Sequence, residues 1–348
     1  MDKPLFWKTT LSDVEETLKS IKRGKVSSLT KSAGGRDVYL IEYGEKQCFN
    51  RAANYSSACG ANEPKCYADK TDKKPVIFIV VAVHAGEMEG IASILNFISL
   101  IENGEDFNGG TNIFLQNCIN DCRLLIIPVA NPDGRARISA DGIDTMRGVT
   151  YEEFRHYSQG RWKDGTLCEY PQCKRVHPIK DHVSYLGSYY NDDGINMMHD
   201  NFFGNMANET KAIFDTADAE APDFTILLHG GGNCINVILN TDYAPVFIKQ
   251  KIRDLSLKIK EEAAKINLPF SATNIQEDNF NPPKSFNLSS ALHHSCGTAA
   301  FVYESNQGID YGERTLKEWE TMLSYKDILR EHYILFEQTI KFAENYHS

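Results

Sequence analysis

Apolar residues follow two alternating patterns along the chain. Short apolar runs of about four to eight residues alternate with longer segments in which apolar residues recur with helical period. This alternation is typical of an α/β protein whose helices cover both faces of a largely parallel sheet. The runs predict strands at 38–43, 76–83, 124–129, 224–228, 235–239 and 299–303. The periodic segments predict helices at 11–22, 88–102, 207–219, 245–266 and 316–346.

Two long segments interrupt this alternation. Segment 44–74 is polar and contains three cysteines, and segment 139–193 is rich in Tyr, Gly and charged residues without a sustained period. Long irregular segments inside a compact domain are usually functional loops. No Pro-, Gly- or Ser-rich linker divides the chain. We therefore expect one catalytic domain over residues 1–348 with loop insertions at about 44–74 and 139–193, the second of which forms a wall of the active site.

The charge and hydropathy of the chain limit its partners. The 37 Lys and Arg residues are outnumbered by 47 Asp and Glu residues, so the formal net charge is −10. A protein that binds nucleic acid by neutralising phosphates usually has the opposite sign of charge, so we expect no nucleic acid partner. The longest strongly apolar run, 75–83, is far shorter than the roughly 20 residues of a membrane span. We therefore expect no membrane span.

The nine cysteines are an intermediate number, too few for a disulfide scaffold. Three lie in 44–74, and two pairs are closely spaced: Cys118 with Cys122, and Cys168 with Cys173. This spacing favours disulfides that connect local loops in an oxidising compartment. A secreted or periplasmic protein is the corresponding expectation.

The most informative motif is His84-Ala-Gly-Glu87, which follows the predicted strand 76–83 and begins a helix. A His and a Glu at this position can both face the point beyond the carboxyl end of the strand, where α/β sheets bind ligands. Zinc accepts imidazole nitrogen and carboxylate oxygen, and a catalytic zinc site uses three protein ligands and one open position. Taken alone, this spacing also occurs by chance in many proteins.

Two further buried strands end in residues that can bind a metal ion or transfer a proton. His229 follows the run 224–228 and precedes three glycines, while Glu304 follows the run 299–303. A buried His bonded to a backbone carbonyl and a Glu in a structural salt bridge are the alternative interpretations. At one sheet edge, however, His229 can be the third zinc ligand. Glu304 can then take a proton from a metal-activated water and return it to a leaving amine.

The order of these motifs resembles the zinc metallocarboxypeptidase family (carboxypeptidase A-like, peptidase family M14), with the chain as a divergent member. The resemblance covers roughly residues 10–345. It also includes Asn-Pro-Asp-Gly at 131–134, Ser-Ala-Gly-Gly-Arg at 32–36 and Asn-Glu-Thr at 208–210. It implies a mixed, mostly parallel, twisted eight-stranded sheet with helices on both faces.

The resemblance also implies a zinc-dependent hydrolase of peptide or amide bonds. One zinc ion per chain would be held by His84, Glu87 and His229, and Glu304 would be the general base and acid. The implied partner is a peptide or a small molecule with an amide bond.

An Arg that stabilises the oxyanion is also implied. Segment 160–163 is the best match to the corresponding part of the family, so Arg161 is the first candidate. Arg137 and Arg135, which follow the Asn-Pro-Asp-Gly motif, are the alternatives. Arg137 is also a candidate substrate-binding residue, and Arg135 and Arg175 are further cations that could reach the ligand.

The segment that binds the substrate carboxylate departs from the family pattern. Segment 194–202 matches it best, but Met198 and His199 replace the Asn-Arg pair that grips the C-terminal carboxylate of a peptide. Gly86 also stands where many members have an Arg. A histidine is charged only part of the time near neutral pH and offers one donor at a time. His199 is therefore a candidate substrate-binding residue with altered carboxylate recognition.

Two other functions remain open at this point. The first is an amidase or deacylase that acts on a cell-wall peptide or an N-acyl amino acid, which would explain the lost Arg. The second is a non-catalytic binding module that keeps the fold. A binding module has no need of all four of the residues that could bind the metal or transfer a proton. These residues are His84, Glu87, His229 and Glu304.

Overall fold

The protein is described by a computed structural model that covers residues 3–318 and 320–347. A central sheet of eight strands and a separate two-stranded ribbon make up its β-structure. The strands are β1 (Lys25–Lys31), β2 (Asp37–Tyr43), β3 (Val76–Val81), β4 (Arg123–Ile127), β5 (Gly160–Trp162), β6 (Val183–Leu186), β7 (Phe224–Gly230), β8 (Asn236–Leu239), β9 (Phe270–Ser271) and β10 (Ala299–Ser305).

The sheet has the order β1-β2-β4-β3-β7-β10-β8-β9, and β5 pairs with β6 in the ribbon. Its four central strands, β4, β3, β7 and β10, are parallel, while β2 is antiparallel to both of its neighbours and β8 is antiparallel to β10. The predicted fold class, an α/β protein with a mixed eight-stranded sheet, is confirmed. The parallel centre brings the carboxyl ends of β3, β7 and β10 to one edge of the sheet.

The helices pack on both faces of the sheet. They are α1 (Leu11–Ser20), α2 (Tyr55–Gly60), α3 (Glu89–Asn103), α4 (Ile113–Asn117), α5 (Pro132–Ala140), α6 (Tyr151–Gln159), α7 (Asn208–Glu220), α8 (Val246–Lys265), α9 (Leu288–Cys296) and α10 (Tyr325–His347). Residues from α1, α3, α8 and α10 form one core layer, and residues from α7 and α9 form the other. Helices of the described residues lack the combination of length and hydropathy that a membrane crossing requires.

The alternation of side chains along β3 explains why its sequence is apolar without interruption. Ile77 and Ile79 point into the first core layer, whereas Phe78 and Val80 point into the second. Successive residues of a strand face opposite sides of a sheet, so a strand covered on both faces needs apolar residues at every position. The same pattern made β3, β4, β7 and β10 predictable.

Three expectations differ from the structure. The last helix begins at Tyr325 and not at 316, because Ser324 caps it: the Ser324 hydroxyl donates to Asp327 Oδ2 (2.7 Å) and accepts from the Asp327 amide (3.2 Å). Strand β1 was not predicted, because it is a partly exposed edge strand with many polar residues. Segments 44–74 and 139–193 contain regular structure, namely α2 in the first and α6 with the ribbon β5-β6 in the second.

The expectation of disulfides is wrong for this structure, in which all nine cysteines are free. Cys118 and Cys122 lie next to each other, but the Cys122 thiol donates to the Cys118 carbonyl oxygen (3.2 Å). Cys168 and Cys173 are buried in a small apolar cluster with Tyr190. These cysteines therefore pack as small apolar residues.

Candidate active site

A turn after β3 brings the His84-Ala-Gly-Glu87 motif to the edge of the sheet. Ala82 has φ = 55°, a left-handed conformation that costs a non-glycine residue energy. Two backbone hydrogen bonds hold this turn, from the Ala130 amide to the Val81 carbonyl (2.8 Å) and from the Asn131 amide to the Ala82 carbonyl (3.1 Å). Helix α3 then begins at Glu89, with Met88 as its N-cap between the motif and the helix.

The structure brings His84, Glu87 and His229 together in one buried cluster. His84 Nδ1 lies 3.1 Å from Glu87 Oε1, and His229 Nδ1 lies 2.7 Å from Glu87 Oε2. One possible ligand atom from each residue lies within 4.8 Å of the other two, so the three could hold a metal ion. Burial alone would raise the pKa of Glu87, but the two imidazoles outweigh this effect and hold that pKa well below its usual range.

The tautomer of His84 supports a metal at this point. Asn196 Oδ1 accepts from the Met198 amide (3.0 Å) and lies 3.2 Å from His84 Nε2. Because an amide oxygen only accepts, His84 Nε2 carries a proton. A protonated ring then stabilises the Glu87 carboxylate through Nδ1, whereas in the neutral ring Nδ1 presents a lone pair to it. Two lone pairs that face one point repel each other unless a cation lies between them. The donor set of two imidazole nitrogens and a carboxylate oxygen is one that zinc accepts.

Tyr189 also positions His84. Its ring stacks on the His84 imidazole with 3.9 Å between centroids and an angle of 7° between planes. Asn196 and Tyr189 both belong to the segment between β6 and the 3₁₀ turn Met197–His199. This segment therefore fixes the His84 ring both by stacking and by a hydrogen bond.

Glu304 lies beside this cluster because β10 is parallel to β7. The strand register places Glu304 directly opposite His229. Burial raises the pKa of Glu304 to about 7, with a further contribution from the Glu87 carboxylate. A carboxyl group next to a three-donor cluster can exchange a proton with a molecule bound there.

The cluster opens into a cavity of about 630 Å³. Its walls combine aromatic side chains with three cations, which come from the insertion 139–193 and from the segment before α9. The residues that line it include His84, Glu87, His229, Glu304, Phe154, Arg155, Tyr170, Lys174, Tyr189, His199, Lys284, Ser285 and Tyr311. A cavity of this size lies within the range of ligand pockets, about 300–1,000 Å³.

The absence of a side chain at Gly86 has a steric cause. A Cβ atom built on Gly86 would lie 2.5 Å from Ser188 Oγ and 3.0 Å from Met146 Cε. An Arg at this position, which many members of the resembled family have, would require the Ser188 and Met146 side chains to move.

Of the predicted substrate-binding residues, His199 lines the cavity and Arg137 does not. His199 Nδ1 lies 2.7 Å from Ser285 Oγ, and burial together with the Lys174 charge lowers the pKa of His199 to about 3. His199 is therefore neutral at physiological pH. Arg137 instead pairs with Asp192 (2.5 Å) and donates to backbone carbonyl groups, including that of Tyr190 (3.2 Å), so it braces the loop that carries Tyr189.

The structure does not bring Arg161 to the cavity. Its guanidinium group pairs with Glu152 (2.9 Å) and donates to His156 Nδ1 (3.2 Å). Arg135 is buried and donates to the Thr9 carbonyl (2.8 Å), and Arg175 does not line the cavity either.

The arginine that lines the cavity is Arg155 on α6, which the sequence interpretation missed. A capping box of Thr150 and Glu153 marks the start of α6 and is the sequence signal that could have located this helix.

Asp133 connects two of the sequence motifs to the segment between β6 and the 3₁₀ turn Met197–His199. This fully buried carboxylate accepts from Ser32 Oγ (2.6 Å), the Gly34 amide (2.8 Å), Arg36 Nη1 (2.8 Å) and the Asp192 amide (3.1 Å). Burial alone would raise the pKa of Asp133, but these hydrogen bonds outweigh it and lower that pKa. The Ser-Ala-Gly-Gly-Arg and Asn-Pro-Asp-Gly motifs thus anchor the loop that orients His84.

We expect Asp133→Asn to destabilise the protein by about 3 kcal/mol, because it removes the charge that four donors share. Asp133 contributes fully to the free energy of unfolding above its unfolded-state pKa of about 3.9. This contribution is lost as the pH falls through the lower folded-state pKa. Urea unfolding at pH 7 measures the effect, and the difference from wild type should shrink below about pH 4.

The matched control for this prediction is Asp37→Asn. Asp37 pairs with Lys31 (2.7 Å) on the exposed part of β2, where solvent weakens the ion pair, so its loss should destabilise the protein far less than the loss of the Asp133 carboxylate. Equal effects of the two substitutions at pH 7 would contradict the role given to Asp133.

Comparison with known proteins agrees with this geometry. The sequence profile of the zinc carboxypeptidase family matches residues 13–337, which is most of the chain. Comparison with curated protein sequences gives no match.

Solved structures of metallocarboxypeptidases have the same fold. A metallo-carboxypeptidase from Burkholderia cenocepacia matches with a TM-score of 0.60 and 13% identity, over 96% of this chain and 69% of that chain. Carboxypeptidase A from Helicoverpa armigera matches with a TM-score of 0.54 and 15% identity, over 98% and 75%. A metallo-carboxypeptidase from Pseudomonas aeruginosa, in complex with (2-guanidinoethylmercapto)succinic acid, matches with a TM-score of 0.53 and 13% identity, over 95% and 67%. From the family profile, which covers nearly the whole chain, and from the shared fold, we conclude that this chain belongs to the zinc carboxypeptidase family.

Proposed function

We propose that the protein is a zinc-dependent hydrolase of peptide or amide bonds. One zinc ion per chain is held by His84, Glu87 and His229, and the substrate binds in the adjoining cavity. The observation that carries this proposal is the position of Glu304, a buried carboxyl group opposite His229, beside three donors that suit zinc. A binding module has no need of a proton acceptor at this point.

The proposed mechanism assigns proton transfer to Glu304. Zinc, when bound, supplies a Lewis acid that polarises a carbonyl group and lowers the pKa of water. The Glu304 carboxylate takes a proton from the attacking water, whose oxygen forms a bond with the carbonyl carbon. The C–N bond then breaks, and Glu304 gives the proton to the leaving amine nitrogen.

Arg155 is the residue that we propose for stabilising negative charge on the substrate, in place of Arg161. Its side chain lines the cavity, and its nearest carboxylate, Glu169, is 3.9 Å away. Arg155 also donates to the Tyr151 hydroxyl (2.9 Å), which sets the direction of its guanidinium group. Burial raises the pKa of Tyr189, the ring that stacks on His84, and the Arg155 charge opposes this shift. Arg155 and the His84-Glu87-His229 cluster line the same cavity.

We expect Arg155→Met to lower kcat/KM by about 10- to 150-fold, the usual loss for one hydrogen bond to a charged group. Steady-state hydrolysis of any peptide that the protein cleaves measures this loss. Arg161→Met is the matched control, since its side chain faces Glu152 outside the cavity. A large loss of kcat/KM in Arg161→Met and none in Arg155→Met would instead support Arg161 as the residue that stabilises the oxyanion.

Recognition of the substrate differs from that of an ordinary carboxypeptidase in this proposal. Met198 and the neutral His199 occupy the segment where the family has its carboxylate-binding pair. The cations of the cavity, Arg155, Lys174 and Lys284, come from other segments, so in this proposal the enzyme depends less on a free C-terminal carboxylate. The same observation favours a second candidate function, an amidase or deacylase that acts on a cell-wall peptide or an N-acyl amino acid.

Incubation with a panel of substrates tests the proposed function. The panel contains peptides with free or blocked ends and N-acyl amino acids, and mass spectrometry identifies the products with and without a zinc chelator. The proposal predicts hydrolysis of at least one peptide or amide that stops when the chelator is added. Hydrolysis that continues unchanged in the chelator would contradict it.

A further inference from the structure

A second cavity adjoins the active-site cavity. Its volume is about 320 Å³, and Leu239, Asp242 and Lys284 line both cavities. The wall of the second cavity is formed by β8, by the residues that follow it and by the segment 272–276. The two cavities therefore meet at these three side chains.

The second cavity is polar but nearly neutral. Amide and hydroxyl side chains supply much of its lining: Asn240, Thr241, Thr273, Asn274 and Gln276. The buried Lys249 at its wall is neutralised by Asp278 (2.6 Å), and the boundary residues Lys284 and Asp242 pair with each other (3.3 Å). Asn240, Thr241 and Gln276 each use a polar atom within the protein. The remaining amide and hydroxyl atoms suit the C=O and N–H groups of a peptide better than a terminal carboxylate, which needs a cation to offset its desolvation.

Ser285 and His199 lie on the active-site side of this boundary. The Ser285 hydroxyl and His199 Nδ1 are 2.7 Å apart, and both residues line the active-site cavity. A hydroxyl and a neutral imidazole can both donate and accept hydrogen bonds. They can therefore bond to the N–H or C=O group of a peptide chain that runs past them. Met198 and His199 replace the family's Asn-Arg pair, so a terminal carboxylate would meet no guanidinium group on this segment, and the cations left to it are the ammonium groups of Lys174 and of Lys284, which pairs with Asp242.

We propose that the substrate continues beyond the scissile bond, past Ser285 and His199, into the second cavity. The substrate class is then a peptide with two or more residues after the scissile bond, or a peptide with a blocked C-terminus, and not one that loses a single C-terminal amino acid. This inference rests on the proposed function, since it takes Glu304 and the His84-Glu87-His229 cluster as the place of cleavage.

Matched peptides test the substrate class directly. All have the same blocked sequence before the scissile bond, and they differ after it: one residue with a free carboxylate, the same residue as an amide, or three residues. We expect the three-residue peptide to have a kcat/KM about tenfold higher than the free acid, the effect of about one hydrogen-bonded group. The expected product is the intact tripeptide.

Two outcomes would overturn the inference in distinguishable ways. Metal-dependent release of single C-terminal amino acids, with a strong preference for the free acid, would leave the proposed function standing and refute the extended substrate. Absence of cleavage of every peptide, or cleavage that a chelator does not affect, would refute the proposed function and this inference together.

Two variants test the path of the substrate. Ala272 lines only the second cavity, so Ala272→Phe should fill it and lower kcat/KM for the three-residue peptide by about tenfold or more, with little effect on the one-residue amide. Ser285→Ala should lower kcat/KM for the three-residue peptide by about two- to tenfold. The controls are Ala219→Phe on the exposed part of α7 and Ser184→Ala on β6. Equal effects on long and short substrates in both test variants would contradict the proposed path.

Discussion

Replacement of Glu304 by glutamine is expected to lower kcat/KM by about 10² to 10⁴ while zinc stays bound. Glutamine keeps the size and shape of the side chain but cannot accept the proton of the attacking water. Glu304 lies opposite His229 in the register of β10 and β7, yet it is not one of the three clustered donors. Kinetics on a cleaved peptide, together with zinc analysis of the same sample, measure both quantities.

Glu331→Gln is the matched control for this prediction. Glu331 is also a buried carboxyl group, but it lies on α10 and bonds to Asn236. Burial raises its pKa to about 8, so it is protonated at pH 7 and glutamine closely imitates it. We expect this control to keep its activity. A fully active Glu304→Gln variant would show that another group is the general base.

Replacement of His229 by alanine should remove most of the bound zinc and abolish turnover. Two remaining ligands hold zinc poorly, and loss of a direct ligand should weaken binding by more than the roughly 10- to 100-fold that loss of a supporting residue costs. The fold should persist, because the two core layers on either side of the sheet do not depend on this side chain. Metal analysis and circular dichroism of the purified variant test both expectations.

His293→Ala is the control for the loss of metal. His293 is a buried histidine on α9, and its Nδ1 lies 3.0 Å from the Thr298 carbonyl oxygen, so it is held by the backbone and not by the cluster. The control should bind zinc as the wild type does. Full zinc occupancy in His229→Ala would contradict the ligand assignment.

The central part of the fold and the clustered donors could be predicted because they depend on local sequence. Strands β3, β7 and β10 are buried on both faces, so their sequences are continuous apolar runs, and a polar residue at the end of such a run stands out. Parallel pairing then brings these ends to one edge of the sheet, which places Glu304 opposite His229. The exposed edge strand β1 has no such signal, because many of its side chains face solvent.

The cations of the site could not be assigned from the sequence, because tertiary contacts decide where an arginine points. Arg155 and Arg161 lie close together in an insertion without a sustained period. Glu152 holds Arg161 away from the cavity, and Asp192 holds Arg137 against the backbone of the active-site loop. The spacing of the sequence motifs does not predict that Glu152 and Asp192 pair with these arginines.

Titration of metal-free protein with zinc is the most direct test of the central claim, that His84, Glu87 and His229 form the metal site of a hydrolase. The experiment follows the cleavage of one peptide while zinc is added in measured amounts. We predict that the metal-free protein is inactive and that its activity rises with added zinc until one zinc ion per chain is bound. Full activity before any zinc is added would contradict the account.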